Sequence, residues 1–177
     1  MVKKKAKALS AIFIALAAAL LLSMSMSVAY ATQPTQVTWT SVTVGLSVQG
    51  GNVAGESDNR FLTLSITSVF TGDIAGIMTS DSRWIIHNWV TGVPLLQQPG
   101  PVNIHAVDYI STTFQGKSGT LAILVNHVYY PSLGSSEGTW VIISGTGELA
   151  NLHGHGTTSN PPGPGPTTWT GQVHFDP

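Results

Sequence analysis

The sequence predicts an all-β protein: an eight-stranded antiparallel β-barrel preceded by an N-terminal signal helix. After residue 31, no segment keeps the apolar periodicity of about 3.6 residues that a helix requires. Val, Thr, Ile and aromatic residues cluster and alternate with polar residues instead, which is typical of strands. Glycine-containing turns separate these segments, and about eight short strands so connected indicate a sandwich or a barrel.

The first 31 residues have the three parts of a secretory signal peptide. Four lysines within residues 3–7 form a positive segment, residues 8–22 are apolar, and Ala29-Tyr30-Ala31 matches the small-residue cleavage preference. The apolar stretch is shorter than the ~20 residues that span a bilayer as a helix. This favours cleavage over a retained anchor, and we expect a secreted, extracytoplasmic single domain over residues 32–177.

After residue 31 the chain carries few charges, with Arg60, Arg83 and Lys117 set against eight acidic residues. Nucleic-acid binding requires several Lys or Arg side chains to neutralise phosphates, so this class of partner is excluded. Binding to an anionic membrane surface is disfavoured for the same reason. The chain has no cysteine, so the exported fold must stand without disulfides. No cofactor is predicted.

The strands are predicted one by one from local pattern and turn residues. In residues 60–70, for example, Leu62, Leu64 and Ile66 share one face while polar residues occupy much of the other. Strands are predicted over residues 37–48, 60–70, 74–87, 102–114, 120–130, 138–143, 147–156 and 168–175. Residues 97–101 and 160–166 are rich in Pro and Gly and are predicted to be exposed loops, because proline cannot donate to a strand ladder.

Four short motifs occur in order along the chain. Residues 144–154, SGTGELANLHG, are similar to the signature G-T-G-x-[LF]-x-x-[LA]-x-G of dirigent proteins and their barrel relatives, with Asn151 where that family usually has glycine. Three further motifs lie at residues 69–76, 114–120 and 137–142. From Thr38 to Asp176 the chain therefore resembles an uncharacterised domain-of-unknown-function family of the allene oxide cyclase-like (dirigent-like) barrel group. The resemblance implies an eight-stranded antiparallel barrel but no assigned activity.

The interior of an eight-stranded barrel is either filled by side chains or holds one small ligand. The candidate lining consists of large apolar residues on the predicted strands: Leu62, Leu64, Ile66, Trp84, Ile104, Leu121, Ile123 and Trp140. Two alternatives stay open, because a fold does not define a function. The barrel binds a small apolar or amphipathic ligand in its lumen, or it is a packed structural or adhesive surface module. Homo-oligomers are compatible with the low charge.

A third alternative is an isomerase- or cyclase-type enzyme, although we favour a binding role over a catalytic one. The resemblance to allene oxide cyclases implies a carboxylate inside the barrel. Asp108 is the candidate, because it shares a face with Ile104 and Ile110, and Arg83 is its candidate partner. An exposed or salt-bridged Asp108 is the competing interpretation. Glu148 is predicted to be a solvated strand residue.

His153 and His155 are the weak candidates for a metal site. Two residues apart on a predicted strand, they share one face. They would bind zinc or copper if a third ligand came from His127 or His174. The competing interpretation is a set of separate surface histidines.

Overall fold

The computed structural model describes residues 33–53, 58–163 and 165–176, with only the backbone of Asn52 and Val53. The predicted signal helix over residues 1–31 lies outside the described residues. Within the described ranges, no helix has the length and apolarity needed to cross a membrane.

The described residues contain eight strands that form one antiparallel ring, as the sequence predicts. Each strand pairs with the next in the chain, and the last pairs with the first. The strands are β1 (Thr35–Val53), β2 (Arg60–Gly72), β3 (Gly76–Ile86), β4 (Val102–Phe114), β5 (Lys117–Tyr130), β6 (Ser135–Gly145), β7 (Leu152–Asn160) and β8 (Thr167–Phe175). Two short 3₁₀ turns, Leu95–Gln97 and Gly147–Leu149, lie between strands.

The prediction for the seventh strand is wrong at its start. Residues predicted to begin that strand form the 3₁₀ turn Gly147–Leu149, in which Gly147 has a φ of 61°. The turn buries Leu149 completely against the end of the ring. Glu148 is exposed, but it lies in this turn rather than on a strand, and its carboxylate accepts a hydrogen bond from the Ser118 N–H at 3.0 Å.

The connection between β4 and β5 is a two-residue hairpin turn, shorter than the predicted one. Gln115 and Gly116 both have positive φ, at 51° and 78°. Two such residues in succession are what a type I′ turn requires, and this turn matches the twist of the paired strands. Strand β5 therefore begins at Lys117 rather than at Thr120.

One half of the ring interior is filled by large side chains, and we call it the packed half. Its centre is a tryptophan cluster, with the Trp39 ring 4.8 Å from Trp140 and 5.6 Å from Trp169 between centroids. Gly156 and Gly171 make room for this cluster, because an added Cβ would come within 2.7 Å and 2.5 Å of the Trp140 ring. Other buried members are Phe70, Ile74, Ile110, Leu121, Ile123, Ile142, Leu149, Leu152 and Val173.

The opposite end of the ring is open. Strand β8 pairs with β1 only from Thr35 to Ser41. Beyond Ser41, β1 continues as the outer strand of a hairpin with β2, and no described residue pairs with its other edge. At one end of the ring, backbone hydrogen bonds therefore join β1 to β8, and at the other end these two strands are not paired.

Residues 87–101, which we call the cap loop, cover part of the open end. Leu95 and Trp89 of this loop pack against a small apolar cluster that includes Leu62 and Leu64. Gln98 is fully buried and binds the loop backbone by three hydrogen bonds, one from the Val90 N–H and two from its own amide to carbonyl oxygens. The prediction of an exposed loop at residues 97–101 is therefore wrong at Gln98. Its side chain is buried because it forms the hydrogen bonds that the loop backbone would otherwise make with a neighbouring strand.

Candidate functional site

A cavity of about 380 Å³ lies between the packed half and the open end. At this level two inward positions of β3 hold serine, Ser80 and Ser82, rather than a large apolar side chain. Its polar lining includes Ser68, Ser80, Ser82, Asp108, His127 and Asn160. Its apolar lining includes Ile66, Met78, Trp84, Ile104, Val125 and Trp169.

The structure distributes the eight residues predicted to line the lumen over three environments. Ile66, Trp84 and Ile104 line the cavity. Leu121, Ile123 and Trp140 are buried in the packed half, and Leu62 and Leu64 belong to the cluster under the cap loop. The sequence left open whether the interior is hollow or packed. One half of the ring is packed, and the other contains a cavity.

Asp108 lies on the inner face at the floor of the cavity, next to the packed half. Its side chain is buried, and its Cα is paired with that of Ser80 across β3 and β4. Burial raises the pKa of the Asp108 carboxyl to about 6, because removal from water penalises the charged form. The Ser80 hydroxyl beside it offsets part of this shift, although it does not reach strict hydrogen-bond geometry.

Arg83 is not the partner of Asp108, so that prediction is wrong. It lies exposed on the outer face of β3, where it is paired with Thr63 and His105. Because successive strand residues point to opposite faces, Arg83 is separated from the interior by the sheet itself. No Lys or Arg is among the described residues that line the cavity.

His127 lies on the inner face of β5, nearer the mouth of the cavity. Burial lowers the pKa of its imidazole to about 4, and the charge of Glu137 opposes this shift only in part. Ile123, which is paired with Asp108, lies four positions before His127 on β5. At about 3.3 Å per residue, Asp108 and His127 are roughly 13 Å apart along the strands and form no dyad.

Five buried polar atoms of cavity-lining side chains make no hydrogen bond with the described residues. They are Ser80 Oγ, Ser82 Oγ, Trp84 Nε1, His127 Nε2 and Asn160 Oδ1. A buried polar group without a partner costs about 1–3 kcal/mol, so folded proteins satisfy such groups with water or a ligand. The unmet hydrogen-bonding capacity of the described interior is therefore concentrated around this one cavity.

The candidate metal ligands lie outside the ring. His153 is paired with His174, and the Nε2 atoms of both approach the Asp176 carboxylate, at 3.2 Å and 3.3 Å. His155 is paired with Gln172, and His127 lies in the interior. In the part of the chain that the structure describes, no group of three or more ligating side chains has a geometry suited to a metal ion.

Sequence reasoning missed the serines that create the cavity. In β3, Met78, Ser80, Ser82 and Trp84 occupy alternate, inward positions. Two small hydroxyl residues between two large apolar ones on a buried face were the signal for a polar gap in the core.

Fold and cavity together define a small all-β protein that is packed at one end and hollow at the other. The chain belongs to the family described as "Protein of unknown function (DUF3224)", which matches residues 43–164. It is similar to the crystal structure of a DUF3224 protein with unknown function from Shewanella oneidensis MR-1. The two share 16% sequence identity and a TM-score of 0.63, over 82% of this chain and 99% of that one. At this identity the likeness supports the fold alone. No curated protein matches the chain.

Proposed function

We propose that the protein binds one small amphipathic molecule in the cavity. The observation that carries this proposal is the set of unpartnered polar atoms within a wall that combines apolar and polar side chains. Sites for small molecules are mostly apolar, have volumes of roughly 300–1,000 Å³ and contain a few well-placed polar groups. A cavity of about 380 Å³ with this lining fits that description.

The lining is ordered by depth, which suggests how a molecule would lie in it. Ser80 and Asp108 are paired at the floor, followed towards the mouth by the pair Ser82 and Ala106. Trp84 and its neighbour Ile104 come next, with His127 paired to Ile104 on β5, so the polar floor lies beneath a mainly apolar collar. A polar group would therefore point inwards and an apolar body would contact the collar.

Access is from the open end of the ring. Val42 of β1, Leu96 of the cap loop and Gly165 between β7 and β8 all line the cavity. These residues come from the free edge of a hairpin and from two connections rather than from a closed strand ladder. Entry of a small molecule therefore does not require strand pairs to separate.

Secretion and the allene oxide cyclase-like barrel group are part of the same proposal. The signal-peptide pattern of residues 1–31 supports export. The closed order of eight antiparallel strands supports the barrel group. A secreted protein with a half-open interior is suited to sequester or carry a small molecule outside the cytoplasm.

Acid–base catalysis by Asp108 is the second candidate function, and its raised pKa favours it. A carboxyl group with a pKa near the working pH exchanges protons efficiently. Ser80 is the neighbouring hydroxyl at the cavity floor, and His127 is too far along the strands to act with Asp108 on one atom. This role requires a bound substrate, so it depends on the same cavity.

The test uses the neutral, amphipathic fluorophore N-phenyl-1-naphthylamine and the protein from residue 32 onwards. We expect saturable binding with enhanced fluorescence. Ser82→Phe, which fills the cavity, should abolish binding, whereas Thr79→Phe on the outer face of β3 should not. Ala106→Leu fills the same level from β4 and replaces Ser82→Phe if that variant does not fold by circular dichroism. Equal binding by the cavity-filled and control variants, or no saturable binding by the parent protein, would contradict the proposal.

A further inference from the structure

The charges of the cavity specify the class of molecule that it accepts. We propose that the bound molecule carries a protonated amine whose ammonium group binds the Asp108 carboxylate at the cavity floor. This inference rests on the proposed binding function and adds the chemistry of the ligand's polar end.

Asp108 has no countercharge within the described part of the chain. Each Lys or Arg described there either contacts an aromatic ring or lies on the outer face. The Arg60 guanidinium stacks 4.4 Å from the Trp89 ring centroid, the Lys117 ammonium lies 3.8 Å from the Phe175 ring centroid, and Arg83 is on the outer face. A buried carboxylate without a cation is costly, so a cationic ligand gains binding free energy from the pairing.

The other polar groups of the cavity also favour a ligand that donates hydrogen bonds. An ammonium group has three N–H donors and no acceptor. At the floor, the carboxylate of Asp108 accepts, and the hydroxyls of Ser80 and Ser82 can accept as well. Ser82 Oγ has no partner among the described residues. One primary amine could therefore satisfy the carboxylate and both hydroxyls at the same time.

Among the described residues, no other charged group at the cavity opposes a cation near neutral pH. The titratable side chains that line it are Asp108, His127 and Tyr129. His127 stays uncharged, because burial lowers its pKa to about 4. On β3 and β4, the elements that hold the floor, the remaining titratable residues point outwards: Asp81, Arg83, His105 and Tyr109.

The apolar collar above the floor selects the body of the ligand, to which the amine is attached. On β5, the uncharged His127 is paired with Ile104. Trp84 and Ile104 lie directly above Ser82 and Ala106, and Val125 is paired with Ala106. Their side chains suit a compact apolar or aromatic body rather than a long polar one. A small arylalkylamine combines this body with the ammonium head.

The experiment compares phenethylamine with 2-phenylethanol, which has the same body but a hydroxyl head. Both are titrated by isothermal calorimetry at pH 7.5 into the parent protein, Asp108→Asn and Asp81→Asn. We expect phenethylamine to bind the parent at least tenfold more tightly than the alcohol. Asp108→Asn should remove this preference. Asp81→Asn, which replaces an exposed acid on the outer face of β3, should retain it.

A second measurement requires no variant. Phenethylamine stays protonated at pH 5.0, while most of the Asp108 carboxyl, with its pKa of about 6, becomes neutral. Its affinity should therefore fall by about tenfold between pH 7.5 and pH 5.0, and that of the alcohol should not. Equal affinity for amine and alcohol, or a preference that survives in Asp108→Asn, would overturn the inference. If N-phenyl-1-naphthylamine still binds in the cavity in that case, the inference fails and the proposed function stands.

Discussion

Replacing Asp108 with asparagine tests the electrostatics of the cavity in the absence of any ligand. Burial raises the pKa of this carboxyl from 3.8 to about 6. The folded protein therefore holds the Asp108 proton more tightly than the unfolded chain does. For such a group, the contribution to stability is greatest below pH 3.8 and is lost as the pH rises through 6.

The size of the effect can be worked out from the shift. At 1.36 kcal/mol for each pKa unit, an ionised Asp108 lowers the free energy of unfolding by about 3 kcal/mol above pH 6. Asparagine has a similar shape, keeps the polar group opposite Ser80 and carries no charge. We therefore expect Asp108→Asn to match the parent protein at pH 4 and to exceed its stability by about 2–3 kcal/mol at pH 7.

The assay is urea unfolding followed by tryptophan fluorescence, at half-unit steps from pH 4 to pH 8. Asp81→Asn serves as the control, because it makes the same substitution at an exposed position on the outer face of β3. A stability difference between Asp108→Asn and the parent that does not vary with pH would refute the reasoning. So would a variant that is less stable than the parent at pH 7.

Three further predictions concern other parts of the chain. Burial lowers the pKa of His127 to about 4, so its contribution to stability is lost as the pH falls from 6.5 through 4. Between pH 6.5 and pH 4, the free energy of unfolding measured with urea should fall by about 2–3 kcal/mol less in His127→Gln than in the parent protein. His105→Gln, on the outer face, should show the same fall as the parent. Gln98→Ala should lower the free energy of unfolding by about 2–3 kcal/mol, because it removes three buried hydrogen bonds of the cap loop, and the neighbouring exposed Gln97→Ala should have little effect. If either control behaves like its partner, the cause assigned to that residue is wrong. N-terminal sequencing of the protein exported from its host should begin at Thr32, and an intact leader on the exported protein would contradict cleavage.

The strands were predictable because each carries its own signal. Val102–Phe114 has the observed bounds of β4, since alternation and the following glycine turn define both of its ends. The seventh strand was mispredicted at its start because Gly147 adopts a positive φ there. Glycine in a sequence permits such a conformation without requiring it.

The cavity was less predictable, because its position depends on register as well as on face. Ile104 and Ile123 both point inwards, yet Ile104 lines the cavity and Ile123 is buried in the packed half. Which level of the ring each residue occupies is set by pairs such as Ser80 with Asp108, which lie far apart in sequence. The same register places Arg83 opposite His105, and the local sequence around Arg83 does not predict that pairing.

The division of the ring into a packed half and a hollow half has a consequence for how such proteins diverge. The tryptophan cluster, with the two glycines that accommodate Trp140, lies in the larger buried core, where tight packing defines a unique fold. Ser80 and Ser82 lie outside that cluster, and changing their size alters the hollow rather than the scaffold. Selection can therefore act on the two halves separately. One half maintains the architecture, while the size and polarity of the other can change without loss of the fold.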